Sequence, residues 1–190
     1  RGEAVPLRPA KLADAIREAA GIRGVESLES RRQKLVQRLR RHLDGEQLAR
    51  VTAFLGELIR APFPDDEHRA LRAARENAQL MGDAMRAAWE DWLASECKAQ
   101  PVVLIIEDMH WADAATVQMI DATLRNLRDL PLMVLVLARP EVNTKFPGLW
   151  TEREVQVVKL GPLSRKASEQ LVRASLGSDA SADVVARIVE

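Results

Sequence analysis

The sequence contains few of the residues that build several common kinds of site. A single cysteine, Cys97, can form no internal disulfide, and with only three histidines in 190 residues it cannot supply a tetrahedral zinc site. One unpaired cysteine is typical of a reducing compartment, so we expect a cytoplasmic protein. No apolar run reaches the roughly 18 residues of a membrane span, and there is no signal-like start. These absences predict one ordinary soluble domain or a piece of a larger protein.

The chain also has a formal net charge of zero. The chain has 28 Lys and Arg residues against 28 Asp and Glu residues, which argues against a membrane-surface protein and against direct nucleic-acid binding, because both usually need a basic excess. The first 60 residues carry 13 basic and 8 acidic side chains, with most of the excess in residues 31–41. Leucines at helical spacing accompany this run, so we interpret it as the solvated side of an amphipathic helix.

The apolar pattern is helical up to Gln100. Its spacing predicts helices over Lys11–Ala20, Ser27–Leu43, Leu48–Leu58 and Leu71–Trp92. Prolines predict a loop at residues 61–66, between the third and fourth of these. The last stripe could also form a coiled coil or bind a partner helix. We interpret it as packing on the domain's own core, because it covers only about three heptads.

The character of the sequence changes at Pro101. Val102–Ile106 and Leu132–Leu137 are continuous aliphatic runs, which is typical of strands buried on both faces of a parallel sheet. Between them, Asp113 can cap a helix whose apolar stripe ends at Leu127. Strand, helix and strand over some forty residues form a βαβ unit, which makes the two strands parallel. The fold class is therefore α/β.

The remaining sequence predicts a third strand and more helix. Val155–Leu160 alternates like a short strand. Ser164 can cap a helix that ends near Gly177, and another helix starts at Ser181.

Charged residues follow both predicted buried strands. Glu107 and Asp108 come directly after the first strand, and Arg139 follows the second. The carboxyl ends of parallel strands meet at one edge of the sheet, where ligands of α/β proteins bind. Two adjacent acids at such a place are costly without a compensating cation. A hydrated Mg²⁺ ion with a nucleotide phosphate tail would satisfy them, with the arginine facing the phosphates.

The segment Pro101–Asp113, read as Pro-Val-Val-Leu-Ile-Ile-Glu-Asp-Met-His-Trp-Ala-Asp, resembles the Walker B region of STAND-class P-loop ATPases, which are relatives of AAA+ proteins. Arg139 resembles the sensor-1 arginine of that family, and Leu160–Ser164 resembles the start of its helical lid. The resemblance implies a partial P-loop parallel sheet with three parts: a helical insert over residues 1–100, a Walker B and sensor-1 part over 101–160, and the start of the lid over 161–190.

The same resemblance implies roles for individual residues. Glu107 would hold Mg²⁺, usually through water, and Asp108 would polarise the water that attacks ATP. Arg139 would stabilise charge on the γ-phosphate. Pro162 would contact the nucleotide from the lid. The cofactors implied are ATP and Mg²⁺.

Three further residues of the motif have weaker assignments. We expect Trp111 to be a packing residue. Asp113 is at least as well explained as a helix N-cap, and His110 could equally be a surface residue.

The phosphate-binding loop of the family is missing from these residues. No Gly-x-x-x-x-Gly-Lys-[Ser/Thr] sequence occurs, and none of the six lysines follows a glycine. Either the module is degenerate, or the chain was cut after that loop. We favour the cut, because Arg1-Gly2-Glu3 resembles the exit from the strand that follows Walker A in relatives. We then expect weak or no ATP binding by the 190 residues alone, and an unpaired apolar edge on the strand Leu132–Leu137.

The function predicted from the resemblance is an ATP-binding, slowly hydrolysing regulatory switch of a bacterial signalling protein. Its partners would be effector or sensor domains of the same polypeptide, such as a Ser/Thr kinase, a cyclase or a LuxR-type regulator, with self-association on ATP binding. One alternative is a non-catalytic helical interaction module with an inert nucleotide site. Another is a nucleic-acid-dependent ATPase, because Glu107–His110 also resembles the acid-acid-x-His box of superfamily-two helicases, although Leu137–Pro140 lacks the Ser/Thr-Ala-Thr motif of those enzymes.

Overall fold

The computed structural model describes residues 9–66, 68–177 and 181–189. The chain divides into two compact units, Arg1–Glu154 and Val155–Glu190. The first unit contains α1 (Ala10–Ala19), α2 (Leu28–Leu39), α3 (Gly45–Leu58), α4 (Arg69–Arg75), α5 (Ala78–Ala99), β1 (Val102–Ile106), α6 (Ala114–Asn126), β2 (Leu132–Val136) and α7 (Val142–Lys145). The second unit contains α8 (Arg165–Leu176) and α9 (Ala182–Val189). Residues 1–3, on which the predicted chain cut rests, lie outside the described residues.

The helical half of the first unit forms around the long helix α5, against which α3 and α4 pack. The buried side chains of α2 form one stripe, as the sequence pattern predicts, whereas α3 is buried on all sides from Val51 to Leu58. The buried residues of these helices and of α4 and α5 include Leu35, Leu39, Val51, Leu55, Leu71 and Trp89. No helix among the described residues is both long enough and apolar enough to cross a membrane.

The basic run in residues 31–41 is less solvated than the sequence suggests. Arg31 donates to the carbonyl of Arg60 and Arg32 to the carbonyl of Pro62, both beyond the end of α3. Arg38 makes two hydrogen bonds to the Glu96 carboxylate, at 2.7 and 2.6 Å. Arginines therefore fasten α2 to its neighbours, because their planar guanidinium groups donate several hydrogen bonds at once.

The prediction of one helix over Leu71–Trp92 is wrong. The helix is broken between α4 and α5, where Asn77 has an extended backbone and its side chain accepts a hydrogen bond from the backbone N–H of Leu80 at 3.1 Å. A side-chain cap of this kind competes with a continuous helix, which the apolar period alone does not register. The stripe itself does pack on the domain's own core, since Met85, Ala88 and Trp92 are buried.

Strands β1 and β2 pair in parallel, with Val102 opposite Leu132 and Ile106 opposite Val136. The βαβ prediction is confirmed, but burial on both faces is wrong. The core that includes α5 and α6 covers the side of the sheet carrying Leu104 and Ile106. On the other side lie the exposed apolar residues Val103, Ile105, Met133 and Leu135. Among the described residues the sheet has two strands, so β2 pairs with β1 only and nothing covers this second face.

The predicted third strand is wrong as well. Val155–Leu160 has no regular secondary structure, and its side chains are largely exposed, with Leu160 at 85%. An extended segment becomes a strand only when a neighbouring strand takes its backbone hydrogen bonds, and none in the described part of the chain does so. The helix that follows agrees with its prediction: Ser164 accepts a hydrogen bond from the N–H of Ala167, and α8 ends before Gly177, whose φ is +90°.

Candidate functional site

Two backbone hydrogen bonds continue the strand pairing beyond β1 and β2. The N–H of Leu137 donates to the carbonyl of Ile106 at 2.9 Å, and the N–H of Met109 donates to the carbonyl of Leu137 at 3.0 Å. The residues that leave the two strands are therefore fixed beside each other. The structure thus brings Glu107 and Asp108 to the same sheet edge as the backbone of Arg139.

Asp108 has a left-handed backbone conformation, with φ 51° and ψ 45°. This conformation costs an L-residue roughly 1–2 kcal/mol, although aspartate and asparagine tolerate it better than most others. It turns the chain from β1 into a 3-10 turn over Met109–Trp111, in which Met109 is fully buried. Strain of this kind is concentrated at functional sites, and here it belongs to a carboxylate that is half exposed.

His110 lies behind that carboxylate. Its side chain is only 5% exposed, and its Nδ1 atom accepts a hydrogen bond from the backbone N–H of Arg139 at 3.3 Å. Its Nε2 atom lies 4.0 Å from Oδ1 of Asp108 and has no hydrogen-bond partner among the described residues. The possibility that His110 is a surface residue is therefore excluded, and the imidazole bridges the ends of the two strands.

Lys145 holds the same turn from the other side. Its ammonium group, at the end of α7, donates to the carbonyls of His110 at 3.2 Å and Ala112 at 2.7 Å. Sequence reasoning did not single out this lysine, because a single Lys 35 residues along the chain from His110 carries no local signal of a contact. The turn after β1 is thus fixed at its backbone as well as at its imidazole.

Asp113 does more than cap α6. Its Oδ1 atom accepts from the N–H of Thr116 at 2.6 Å, which confirms the predicted N-cap. Its Oδ2 atom accepts from the N–H of Ala10 at 3.0 Å, and Ala10 is the first residue of α1. A single carboxylate therefore satisfies donors at the N-termini of two helices that are distant in sequence.

Trp111 does not pack into the core, so its predicted role is wrong. It is 68% exposed, and its ring lies against the imidazole of His110 with the ring centroids 4.9 Å apart. The short turn directs Met109 and Ala112 inward, and both are buried. Trp111 is consequently left on the solvent side, at the edge of the site.

The exposed groups at this edge fit a magnesium ion bound together with a nucleotide. Glu107, Asp108 and Arg139 are all solvent-accessible. Mg²⁺ usually takes one or two carboxylates and completes its shell with water and phosphate oxygens. In residues 9–66, 68–177 and 181–189, no cluster of three or more His, Cys, Asp or Glu side chains could hold a metal by itself. A metal ion at this edge would therefore need oxygen ligands from water or a nucleotide besides the carboxylates.

Two other residues do not join this group. Pro162 is an exposed residue of the second unit, in the segment before α8, so its contact with the nucleotide stays a prediction. Cys97 is buried in α5, and this burial raises the pKa of its thiol. A thiol that stays protonated is a poor nucleophile and a poor metal ligand.

Comparison with curated proteins and with solved structures finds no match for the chain. A model of the AAA ATPase domain matches residues 5–136, which is 132 of the 190 residues. The matched part includes the helical segment, both strands, Glu107 and Asp108, and it ends before Arg139. The chain belongs to the AAA ATPase domain family, whose members are nucleotide-binding ATPase modules.

Proposed function

We propose that this chain belongs to an ATP-dependent regulatory switch of the STAND class within a cytoplasmic signalling protein. One observation carries the proposal. At the carboxyl edge of the sheet, Asp108 is held in a strained conformation next to Glu107, 4.0 Å from a buried imidazole that is itself bonded to the end of β2. Two accessible carboxylates on a rigid turn are suited to a metal–nucleotide complex.

We assign a separate role in ATP hydrolysis to each of three residues. Glu107 would hold Mg²⁺ through water molecules, because carboxylate oxygens and water are the ligands that this ion prefers. Asp108 accepts a hydrogen bond from the attacking water and orients it. Arg139 is exposed and makes no ion pair among the described residues, so its guanidinium is free to bind phosphate oxygens. The magnesium ion, when bound, neutralises charge that develops on the phosphates.

A switch needs differential binding, since a ligand shifts an equilibrium only by its preference for one state. We propose that ATP favours the state in which the lid, including Pro162, contacts the nucleotide. An effector or sensor domain of the same polypeptide, or a second copy of the protein, then recognises that state. The phosphate-cradling loop that this scheme needs does not occur among the 190 residues.

The test is Asp108→Asn in the intact protein. Asparagine has the same shape as aspartate and tolerates the left-handed backbone, so the variant removes the charge without disturbing the turn. We expect ATP affinity within about threefold of wild type and a turnover number lower by about 10²–10⁴-fold, the range for loss of a group that assists proton transfer. Asp129→Asn, at a fully exposed position after α6, is the matched control. Unchanged hydrolysis in Asp108→Asn would remove Asp108 from the mechanism.

A non-catalytic interaction module is the second candidate. It is favoured by the missing phosphate loop and by the uncovered apolar face of the sheet. Titration of the intact protein with a fluorescent ATP analogue separates the two candidates. Saturable binding that needs Mg²⁺ supports the switch, and no binding at millimolar nucleotide supports the inert module.

A further inference from the structure

We propose that His110 is a positioning residue for Asp108, so that the end of β2 sets the orientation of the carboxylate at the end of β1. The proposal rests on the role proposed above for Asp108 and adds a residue to the same site. The observation behind it concerns one atom. The Nε2 of His110 is buried, lies 4.0 Å from Oδ1 of Asp108 and has no hydrogen-bond partner among the described residues.

The tautomer of His110 follows from its other nitrogen. The Nδ1 atom accepts a hydrogen bond from the N–H of Arg139 at 3.3 Å, so in the neutral ring it carries no proton. The proton is therefore on Nε2, which makes this atom a donor. The nearest charged acceptor to that donor is the Asp108 carboxylate, 4.0 Å away.

The two groups are close but not bonded. A hydrogen bond from N–H to a carboxylate needs about 2.7–3.2 Å between the heavy atoms. A buried donor without a partner is unfavourable, and Asp108 is half exposed, so the carboxylate has room to rotate onto Nε2. His110 cannot retreat, because Arg139 holds its ring and Lys145 holds its carbonyl.

Through His110, this arrangement links Asp108, which we expect to orient the attacking water, to Arg139. The N–H that holds the imidazole belongs to Arg139, whose side chain we expect to bind the γ-phosphate. A shift in the end of β2 therefore moves the imidazole, and the imidazole in turn moves the Asp108 carboxylate. His110 contacts neither substrate nor metal in this scheme.

A purely structural role makes a different prediction. If His110 serves only to accept the hydrogen bond from Arg139, then only Nδ1 matters. His110→Asn retains an acceptor near the position of Nδ1 but has no donor at Nε2. His110→Gln places an amide N–H near the position of Nε2 and lacks the Nδ1 acceptor. The pair separates the two roles.

The first measurement compares the wild-type 190-residue chain with both variants and does not depend on ATP hydrolysis. Long-range ¹H–¹⁵N spectra identify which ring nitrogen of His110 is protonated, and the ¹³C shift of the Asp108 carboxyl group reports its hydrogen bonding. We expect the Nε2–H tautomer, and a carboxyl shift that changes in His110→Asn and is partly recovered in His110→Gln, which has the donor but lacks the bond to Arg139. An Nδ1–H tautomer, or a carboxyl shift identical in wild type and both variants, would overturn the proposal.

The second measurement is ATP hydrolysis by the intact protein. We expect His110→Asn to lower kcat by about 10- to 100-fold, the usual effect of losing an outer-shell partner, with KM for ATP within about twofold of wild type. His110→Gln restores the donor but not the bond to Arg139, so it should recover only part of the rate. His68→Asn, at a histidine preceding α4, is the matched control. Equal activity of wild type and His110→Asn refutes the positioning role. If Asp108→Asn leaves hydrolysis unchanged, the proposed function fails instead, and the spectra still decide whether His110 binds Asp108.

Discussion

Gly56 and Gly82 are both glycines inside helices, and the structure gives them opposite roles. A Cβ atom added at Gly56 in α3 would lie 2.8 Å from the carbonyl oxygen of Ala61 and 2.6 Å from the ring of Phe63. A Cβ atom added at Gly82 in α5 would meet nothing within 4 Å. Alanine at the first position is therefore expected to destabilise the fold, and at the second to stabilise it.

The magnitude follows from two terms. Replacing glycine by alanine within a helix contributes about 0.5–1 kcal/mol of stability at either position. At Gly56 an overpacking cost of about 1–3 kcal/mol opposes this gain, because real Cβ atoms essentially never approach other atoms within 3.0 Å. The carbonyl cannot retreat cheaply, since the N–H of Ala61 is bonded to the carbonyl of Gly56 at 2.8 Å. The difference in unfolding free energy between Gly56→Ala and Gly82→Ala therefore gives the steric cost at Gly56.

Urea unfolding of the 190-residue chain, followed by circular dichroism at 222 nm, measures both free energies of unfolding, and heating with the same signal measures the thermal midpoints. We expect Gly82→Ala to raise the thermal midpoint by about 1–4 °C, given 2–4 °C per kcal/mol for a chain of this size, and Gly56→Ala to lie below Gly82→Ala by about 1–3 kcal/mol. Equal stability of the two variants would refute the argument, since it would mean that the segment after α3 moves away at no cost.

Two further predictions concern polar side chains that join separate helices. Arg38→Ala removes both arginine hydrogen bonds from the buried Glu96 carboxylate, which keeps only the indole N–H of Trp92 and the nearby His42. It should cost about 1.5–3 kcal/mol in the free energy of unfolding, whereas Arg50→Ala, which breaks the more exposed pair with Asp91, should cost less than about 1 kcal/mol; comparable losses in urea unfolding would contradict this. Asp113→Ala removes acceptors at two helix N-termini and should cost about 1–2 kcal/mol in the free energy of unfolding, measured in urea. Asp113→Asn should lose less stability than Asp113→Ala, because its single amide oxygen can still accept one of the two hydrogen bonds.

The parts of the fold that depend on local sequence could be predicted. β1 begins and ends at the predicted residues, because an aliphatic run between Pro101 and the acids at 107 and 108 has sharp chemical limits. The break at Asn77 was missed because a side-chain cap preserves the apolar period on either side of it. The error at Val155–Leu160 has a different origin: a strand is defined by its neighbour, and an alternating sequence says nothing of whether a neighbour is present.

In the candidate site, too, some features follow from local sequence and others depend on contacts between distant residues. Its acids and Arg139 could be predicted, because parallel strands bring their carboxyl ends to one edge. The hydrogen bonds from the Arg139 N–H to His110 and from the Lys145 ammonium to the turn each join a side chain to a backbone atom about 30 positions away. Because a backbone atom carries no residue type, no pair of residue types in the sequence signals these contacts. The orientation of Trp111 likewise depends on a three-residue turn, whose phase is set by the backbone at Asp108.

The hydrogen bond between Ala10 and Asp113 has a consequence for the order of folding. It joins residues 103 positions apart, and closing such a loop costs about 3 kcal/mol more conformational entropy than closing a four-residue helical turn. Helices α1 to α5 can form through local contacts before this bond exists, and the contact that fastens α1 to α6 forms after them. We therefore expect the junction between α1 and α6 to exchange its amide protons faster than the helical core around α5.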